Sequence, residues 1–338
     1  MTAGITPSGS PQPMRVGEII KSGWQFYLSH FSQIFLIAIK GLLWASAPAV
    51  VALVAIALFV QQLPENMGTV TPEAVALSYA GVFVLATVAL IVFAFYCTAQ
   101  SLGYLSAISR LCYQSISGVD ESEQAAVRFT RSRKFPLLWS LLLQGLIFLA
   151  AYIAVFVVMT IYIAIAAVAL GAASANGSPG AVSYFLIGLV GALLLLAAIC
   201  LLVWVLTRLM LTQMPLAIET QSGITQAISR SWQVTQKNVG RCLLVVILAF
   251  LIMLPISILA YLVGVIITNI LFGAAAAAPG DSPASVVAFT LATLVSTLIG
   301  IAGSVVTTPL WQSIIGALYF DLRSRHEQAR PTRGSVTV

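Results

Sequence analysis

Two stretches of the chain, 242–280 and 282–320, each run 39 residues without a charged side chain. A helix rises ~1.5 Å per residue, so about 20 apolar residues already cross the ~30 Å hydrocarbon core of a bilayer. Runs of this length identify a membrane protein, and the composition agrees, with 60% hydrophobic and only 8% charged residues. The apolar stretches 34–60, 75–109, 136–170, 182–211, 242–273 and 285–319 predict six transmembrane helices. These runs are continuous and lack the alternation of lipid-facing barrel strands, so the expected fold is an all-α polytopic membrane protein. The surplus length of the last two spans must tilt, bend or run on outside the bilayer. Pro48, Pro255 and Pro309 each remove a backbone donor and mark the kink points.

Lys and Arg are retained on the cytoplasmic side of short loops, and their placement here is one-sided. Arg15 and Lys21 precede the first span, and Arg128, Arg131, Arg133 and Lys134 lie between the second and third. Arg230, Lys237 and Arg241 lie between the fourth and fifth, and Arg323, Arg325, Arg330 and Arg333 follow the sixth. The opposite loops hold Glu65, Glu73 and Asp281 but no Lys or Arg. Both termini are therefore expected in the cytoplasm of a bacterial plasma membrane, an internal photosynthetic membrane meeting the same criteria. Residues 1–14 lack the basic start and apolar run of a signal peptide and read as a disordered tail, and 324–338 read as a basic tail. The net charge of +6 is accounted for by this positive-inside pattern, so no nucleic acid is expected as a partner.

The basic segments carry helical periodicity of their own. Val16, Ile19, Ile20, Trp24, Tyr27, Leu28 and Phe31 share one face opposite Glu18, Lys21 and Gln25, as in an amphipathic interfacial helix. Ile224, Ala227, Ile228, Ser231 and Trp232 oppose Gln226, Arg230, Gln233 and Lys237 in the same way, so that Trp24-Gln25 superposes on Trp232-Gln233. The middle segment joins through QAAVR, 124–128, against QAISR, 226–230. The reading is a membrane domain over 15–323 made of three units, about 15–112, 120–212 and 222–323, each an interfacial helix followed by a hairpin. Parallel repeats of this kind suit a transporter and a scaffold alike.

Little in the chain suggests chemistry. His30 and His326 lie near opposite ends, and Cys97, Cys112, Cys200 and Cys242 lack metal-ligand spacing, so no metal, cofactor or catalytic residue is expected. Lys40 is the one cation well inside a span. With Gln100, Gln144, Asn269, Thr308 and Gln312 it forms the candidate interior polar set. A polar ligand site requires Gln100, Gln144, Asn269 and Gln312 to converge; otherwise such groups join helices, at ~0.6–2 kcal/mol per hydrogen bond. Trp24, Arg208, Arg230, Trp232, Asp321 and Arg323 are the candidates for interfacial or lipid contact, with Arg208 expected to meet lipid phosphate or to snorkel. Asp321 precedes Arg325 by four residues, an exposed pair of a few tenths of a kcal/mol on its own.

Three passages carry a family resemblance: RVGEIIKSGWQFYLSHFSQIFLIAI, ITQAISRSWQVTQKNVGRCLLVVI and TTPLWQSIIGALYFDLRSRHE. Ser231-Trp232 and Tyr319-Phe320-Asp321-Leu322-Arg323 are their most specific parts. Over most of its length the chain resembles the glycerophosphoryl diester phosphodiesterase membrane-domain family and related uncharacterised bacterial integral membrane proteins. That name implies an enzyme only where the membrane part is fused to a separate soluble catalytic domain, and the resemblance reaches only the membrane part. The expected function is therefore non-enzymatic: organising or scaffolding lipids or partner proteins at the cytoplasmic membrane, with a permease for a small or lipid-like molecule as the alternative. The expected partners are anionic inner-leaflet lipids, and beyond them a partner protein or a second copy of the chain. A sharper expectation, motivated by the place of Asp321 in the family-like motif Tyr319 to Arg323, is that Asp321 ties the C-terminal end to Arg230 or Arg241.

Overall fold

Inside hydrocarbon a backbone must satisfy its own N–H and C=O groups, and a continuous apolar run does so as a helix. The computed structural model describes residues 13–61, 72–175, 177, 180–219, 223–236, 238–276 and 283–328. Their helices are α1 (Val16–Ser29), α2 (Phe31–Gln61), α3 (Pro72–Ile116), α4 (Glu123–Ser132), α5 (Lys134–Ala175), α6 (Ala181–Leu209), α7 (Gln213–Ile218), α8 (Ile224–Thr235), α9 (Val239–Ala276) and α10 (Pro283–Gln328). Six of them, α2, α3, α5, α6, α9 and α10, are long and apolar enough to cross a membrane. No strand occurs among the described residues, so the all-α, six-span expectation holds. Pro48, Pro255 and Pro309 sit inside α2, α9 and α10 without ending them.

One element is absent from the sequence reading. After α6 the chain turns at Met210, Leu211 and Thr212, then forms the short α7, in which Met214 to Ile218 are all buried. Pro215 stands in its first turn, where a missing N–H costs nothing because no carbonyl waits for it. Apolar residues on both sides of the break made it read as the end of span four, and Pro215 was the signal available.

The buried core gathers at one end of the bundle. Ile19 and Phe26 of α1, Ile34 of α2, Ile108 of α3, Met214 of α7, Val234 of α8, Cys242 of α9 and Leu318 of α10 all belong to it. This end also carries most of the described basic residues and both ends of the described chain, since the Met14 N–H donates to Asp321 Oδ1 at 2.7 Å. Helix α10 runs on to Gln328, so Ser324 to Gln328 are helical rather than part of a tail. Residues 1–12 and 329–338, in the two expected tails, lie outside the described residues, as do 62–71 and 277–282 of the opposite loops.

Helix α10 is the centre of this packing, lying against α1, α2, α3 and α9. Its approach to α3 is close enough to require Gly316, where a Cβ would stand 2.6 Å from the Ser109 carbonyl oxygen and 3.2 Å from Cys112 Cβ. Cys112 Sγ donates to the Ser313 carbonyl and Ser109 Oγ to the Gln312 carbonyl across the same contact. A Gly316→Ala variant is expected to lose about 1–3 kcal/mol, the range for overpacking, because the obstructing atom is backbone and cannot turn aside. Thermal unfolding in detergent checks it, with unchanged stability counting against so tight an α3–α10 contact. The α5–α6 pair, by contrast, joins the rest chiefly through α3, α7 and α8, and leaves Phe156, Val168 and Phe185 exposed.

Candidate functional site

Helix α7 ends inside protein, and its last carbonyls need donors that its own turns cannot supply. Arg110 of α3 provides them, its Nη1 donating to the carbonyls of Ala217 at 2.9 Å and Ile218 at 3.3 Å. The same guanidinium turns its Nε to the Glu121 carboxylate, at 2.8 and 3.0 Å. Arg133 donates to the Glu219 carbonyl at 2.6 Å, and the Phe129 ring lies 3.8 Å from Arg110 and 4.7 Å from Arg133. A cation at a helix C-terminus and over an aromatic face is favoured on both counts.

Arg208 performs the corresponding task for α8. It donates to the Trp232 carbonyl at 3.0 Å, lies 5.0 and 4.8 Å from the Trp204 and Trp232 rings, and accepts at its own carbonyl from Ser231 Oγ at 2.7 Å. It is only 7% exposed, so the expected lipid phosphate contact or snorkelling is corrected: its charge is used inside the protein, on a helix end. Glu219, the single acid between Glu123 and Asp281, accepts from Tyr319 Oη at 3.0 Å. Arg230 and Arg323 approach the same carboxylate at 3.8 and 3.9 Å. Trp24 is half-buried against the core, while the Trp232 ring stays partly exposed.

Asp321 forms the most enclosed charged site. The residue is fully buried and accepts from Met14 N–H at 2.7 Å, Arg241 Nε at 2.9 Å and Arg325 Nε at 3.1 and 3.2 Å. Arg325 Nη2 donates to the Met14 carbonyl at 2.9 Å, and Arg241 Nη2 donates to it as well. Of the two partners expected for Asp321, the structure selects Arg241, because Arg230 is turned to Glu219. The pair with Arg325 is also no exposed surface pair, since its carboxylate is sealed from solvent.

The interior polar residues divide between places. Lys40 is exposed on α2, and Asn269 is exposed on α9 with its Nδ2 bonded back to the Val265 carbonyl at 2.9 Å. Gln100 is buried, its Nε2 donating to Tyr96 Oη at 2.7 Å and its Oε1 without a partner among the described residues. Gln144 of α5 and Gln312 of α10 line one cavity of about 390 Å³, which Gln213 of α7 also lines. Convergence thus holds for two of the four expected residues, because Gln100 is held by a neighbour on its own helix and Asn269 by its own backbone. Thr308 lines a second groove of about 480 Å³ between α9 and α10, which adjoins that cavity at Trp311. The sequence reading missed Arg110, Arg133 and Glu219 as organising residues, and the isolation of Glu219 among apolar and basic neighbours was the signal that marked it.

Apolar spanning helices gathered at one end around buried arginines and a buried carboxylate define an integral membrane protein. Residues 182–334 match the family model of the membrane domain of glycerophosphoryl diester phosphodiesterase, which bears out the family resemblance over that part of the chain. The passage at 15–39 lies outside the matched residues, whereas Ser231-Trp232 and Tyr319 to Arg323 fall within them and supply contacts of the arginine and carboxylate sites. Comparison with curated proteins and with solved structures gives no match.

Proposed function

We propose that the chain is a non-enzymatic protein of a bacterial cytoplasmic membrane that organises lipids there, with both termini in the cytoplasm. The observation that carries this reading is the one-ended packing: protein contacts concentrate at the basic end, while α5, α6 and α9 leave long apolar faces for lipid. Three successions of a short helix and two long ones, begun by α1, α4 and α8, support the three-unit organisation within 15–323. Arg128 and Arg131 of α4 are exposed at that end, and each basic side chain near an anionic leaflet contributes about 1 kcal/mol of attraction.

Reconstitution tests the lipid preference. The midpoint of thermal unfolding is expected to be higher in phosphatidylglycerol vesicles than in phosphatidylcholine vesicles, with the difference shrinking at high salt. Equal midpoints in both would overturn the anionic preference. For orientation, a reporter fused after Val338 is expected to respond only from the cytoplasm, and a response only from outside would reverse the topology.

The permease reading has one observation in its favour, the adjoining grooves along α10. Its expected signature is stabilisation by a transported solute together with solute movement across sealed vesicles. A partner protein or second copy of the chain would register as a stoichiometric added mass after gentle extraction.

A further inference from the structure

The cavity at the basic end brings together glutamines from three helices, Gln144, Gln213 and Gln312. A primary amide offers two N–H donors and an oxygen that accepts twice. Gln144 spends one N–H on the Leu209 carbonyl at 2.6 Å, and Gln312 Oε1 accepts from Ser109 Oγ at 2.6 Å. Among the described residues the remaining capacity of both, and the whole Gln213 amide, meets no protein group. The rest of the lining is apolar, including Phe148, Leu206 and Ile315, and no charged side chain faces the space. The three amides are half-buried around the cavity, where an occupant with neutral oxygens would meet their free N–H groups.

This cavity adjoins two further spaces. It shares Trp311 with the groove of about 480 Å³, which in turn shares Ser257 and Thr307 with a groove of about 560 Å³ farther along α9 and α10. Along α10 the lining runs from Ser296 through Thr307 and Trp311 to Gln312, ~24 Å at ~1.5 Å per residue against the ~30 Å hydrocarbon core, and winds around the helix from its α9 side to its α5 and α7 side. Three hydroxyls of the far groove are already used: Ser296, Ser304 and Thr307 donate to carbonyls of their own helix. Those three side chains have no proton left for an occupant, whereas the glutamine end offers unused amide donors and acceptors.

We infer that these adjoining spaces hold one membrane glycerolipid, its ester and glycerol oxygens on Gln144, Gln213 and Gln312 and an acyl chain along α10. The inference rests on the lipid-organising reading and adds to it a defined place and a ligand class. Because the cavity lining is uncharged, headgroup charge does not select at this site.

Two glycines allow a test that leaves the protein's own contacts in place. Gly145 lines the cavity and Gly300 the far groove, and a Cβ at either meets nothing within 4 Å. Gly145→Phe and Gly300→Phe fill the space meant for the lipid, and Gly188→Phe, equally open but in none of the three spaces, is the control. The full chain and the variants, in mild detergent, are each given palmitoyl-oleoyl phosphatidylglycerol or phosphatidylcholine and weighed by native mass spectrometry. The wild type and Gly188→Phe are expected to retain one lipid of either kind, with occupancy falling about tenfold in the two filled variants. Where a filled variant does not fold, Gln213→Leu at its half-buried position is expected to show the same loss. Equal lipid retention by all variants overturns the site but leaves the lipid reading standing. A wild type that retains no lipid overturns both, and retention of a mass smaller than a lipid replaces the glycerolipid with a small polar solute.

Discussion

An Asp321→Ala variant is expected to lose about 3–5 kcal/mol of stability, the range for breaking a buried ion pair by removing one partner. The loss arises because Arg241 and Arg325 stay behind, both directed at a place where no anion remains. The Met14 N–H loses its acceptor at the same time, while its carbonyl still holds both guanidiniums near a now uncompensated site. Asp321→Asn keeps the shape and one acceptor and is expected to fall between the two. Unfolding in detergent measures the loss, and limited proteolysis supplies an independent reading: the segment before α1 is expected to become cleavable in Asp321→Ala before the helices are. An Asp321→Ala protein as stable as the wild type, with the same cleavage pattern, would show that this site does not hold the basic end together.

Arg110→Ala is expected to produce the second large loss, about 3 kcal/mol, for a related reason. Glu121 is left as a largely buried carboxylate without its cation, and the α7 carbonyls of Ala217 and Ile218 lose their donor. Arg110→Lys is not expected to restore stability, because a single ammonium cannot reproduce the planar fork that serves a carboxylate on one side and two carbonyls on the other. Glu121→Gln, which leaves Arg110 bound to α7 and seated over Phe129, is expected to cost less than either. Chemical unfolding of the three variants in one detergent gives the order, and a Lys replacement as stable as the wild type would reduce the contact to simple charge neutralisation.

The six spans were legible because length and apolarity leave a membrane chain almost no alternative to helices. The position of α7 was not, since a break flanked by apolar residues on both sides leaves no mark in hydropathy. Partners of the buried charges were legible only in part. Asp321 could be narrowed to two arginines from its place in the family-like motif, but the choice of Arg241 depends on how α9 starts beside α10. Arg208 was misplaced for a physical reason: a cation at a span end reads as lipid-facing unless it is known that another helix ends against it. For the glutamines, sequence identified the residue type and depth, while the placing of Gln144 and Gln312 on one cavity depends on α7 bringing the chain back under α5 and α10.

The concentration of contacts at one end has a mechanical consequence. The bundle resembles a fan held at its rivet, with α5 and α6 as the outermost blades, joined to the others near the basic end and bordered by hydrocarbon for most of their length. Where side chains stop touching side chains, acyl chains are the remaining packing partner, so the spread of the blades follows bilayer thickness and lateral pressure. The clamped end is expected to change little as the membrane varies, and the α5–α6 pair to move most.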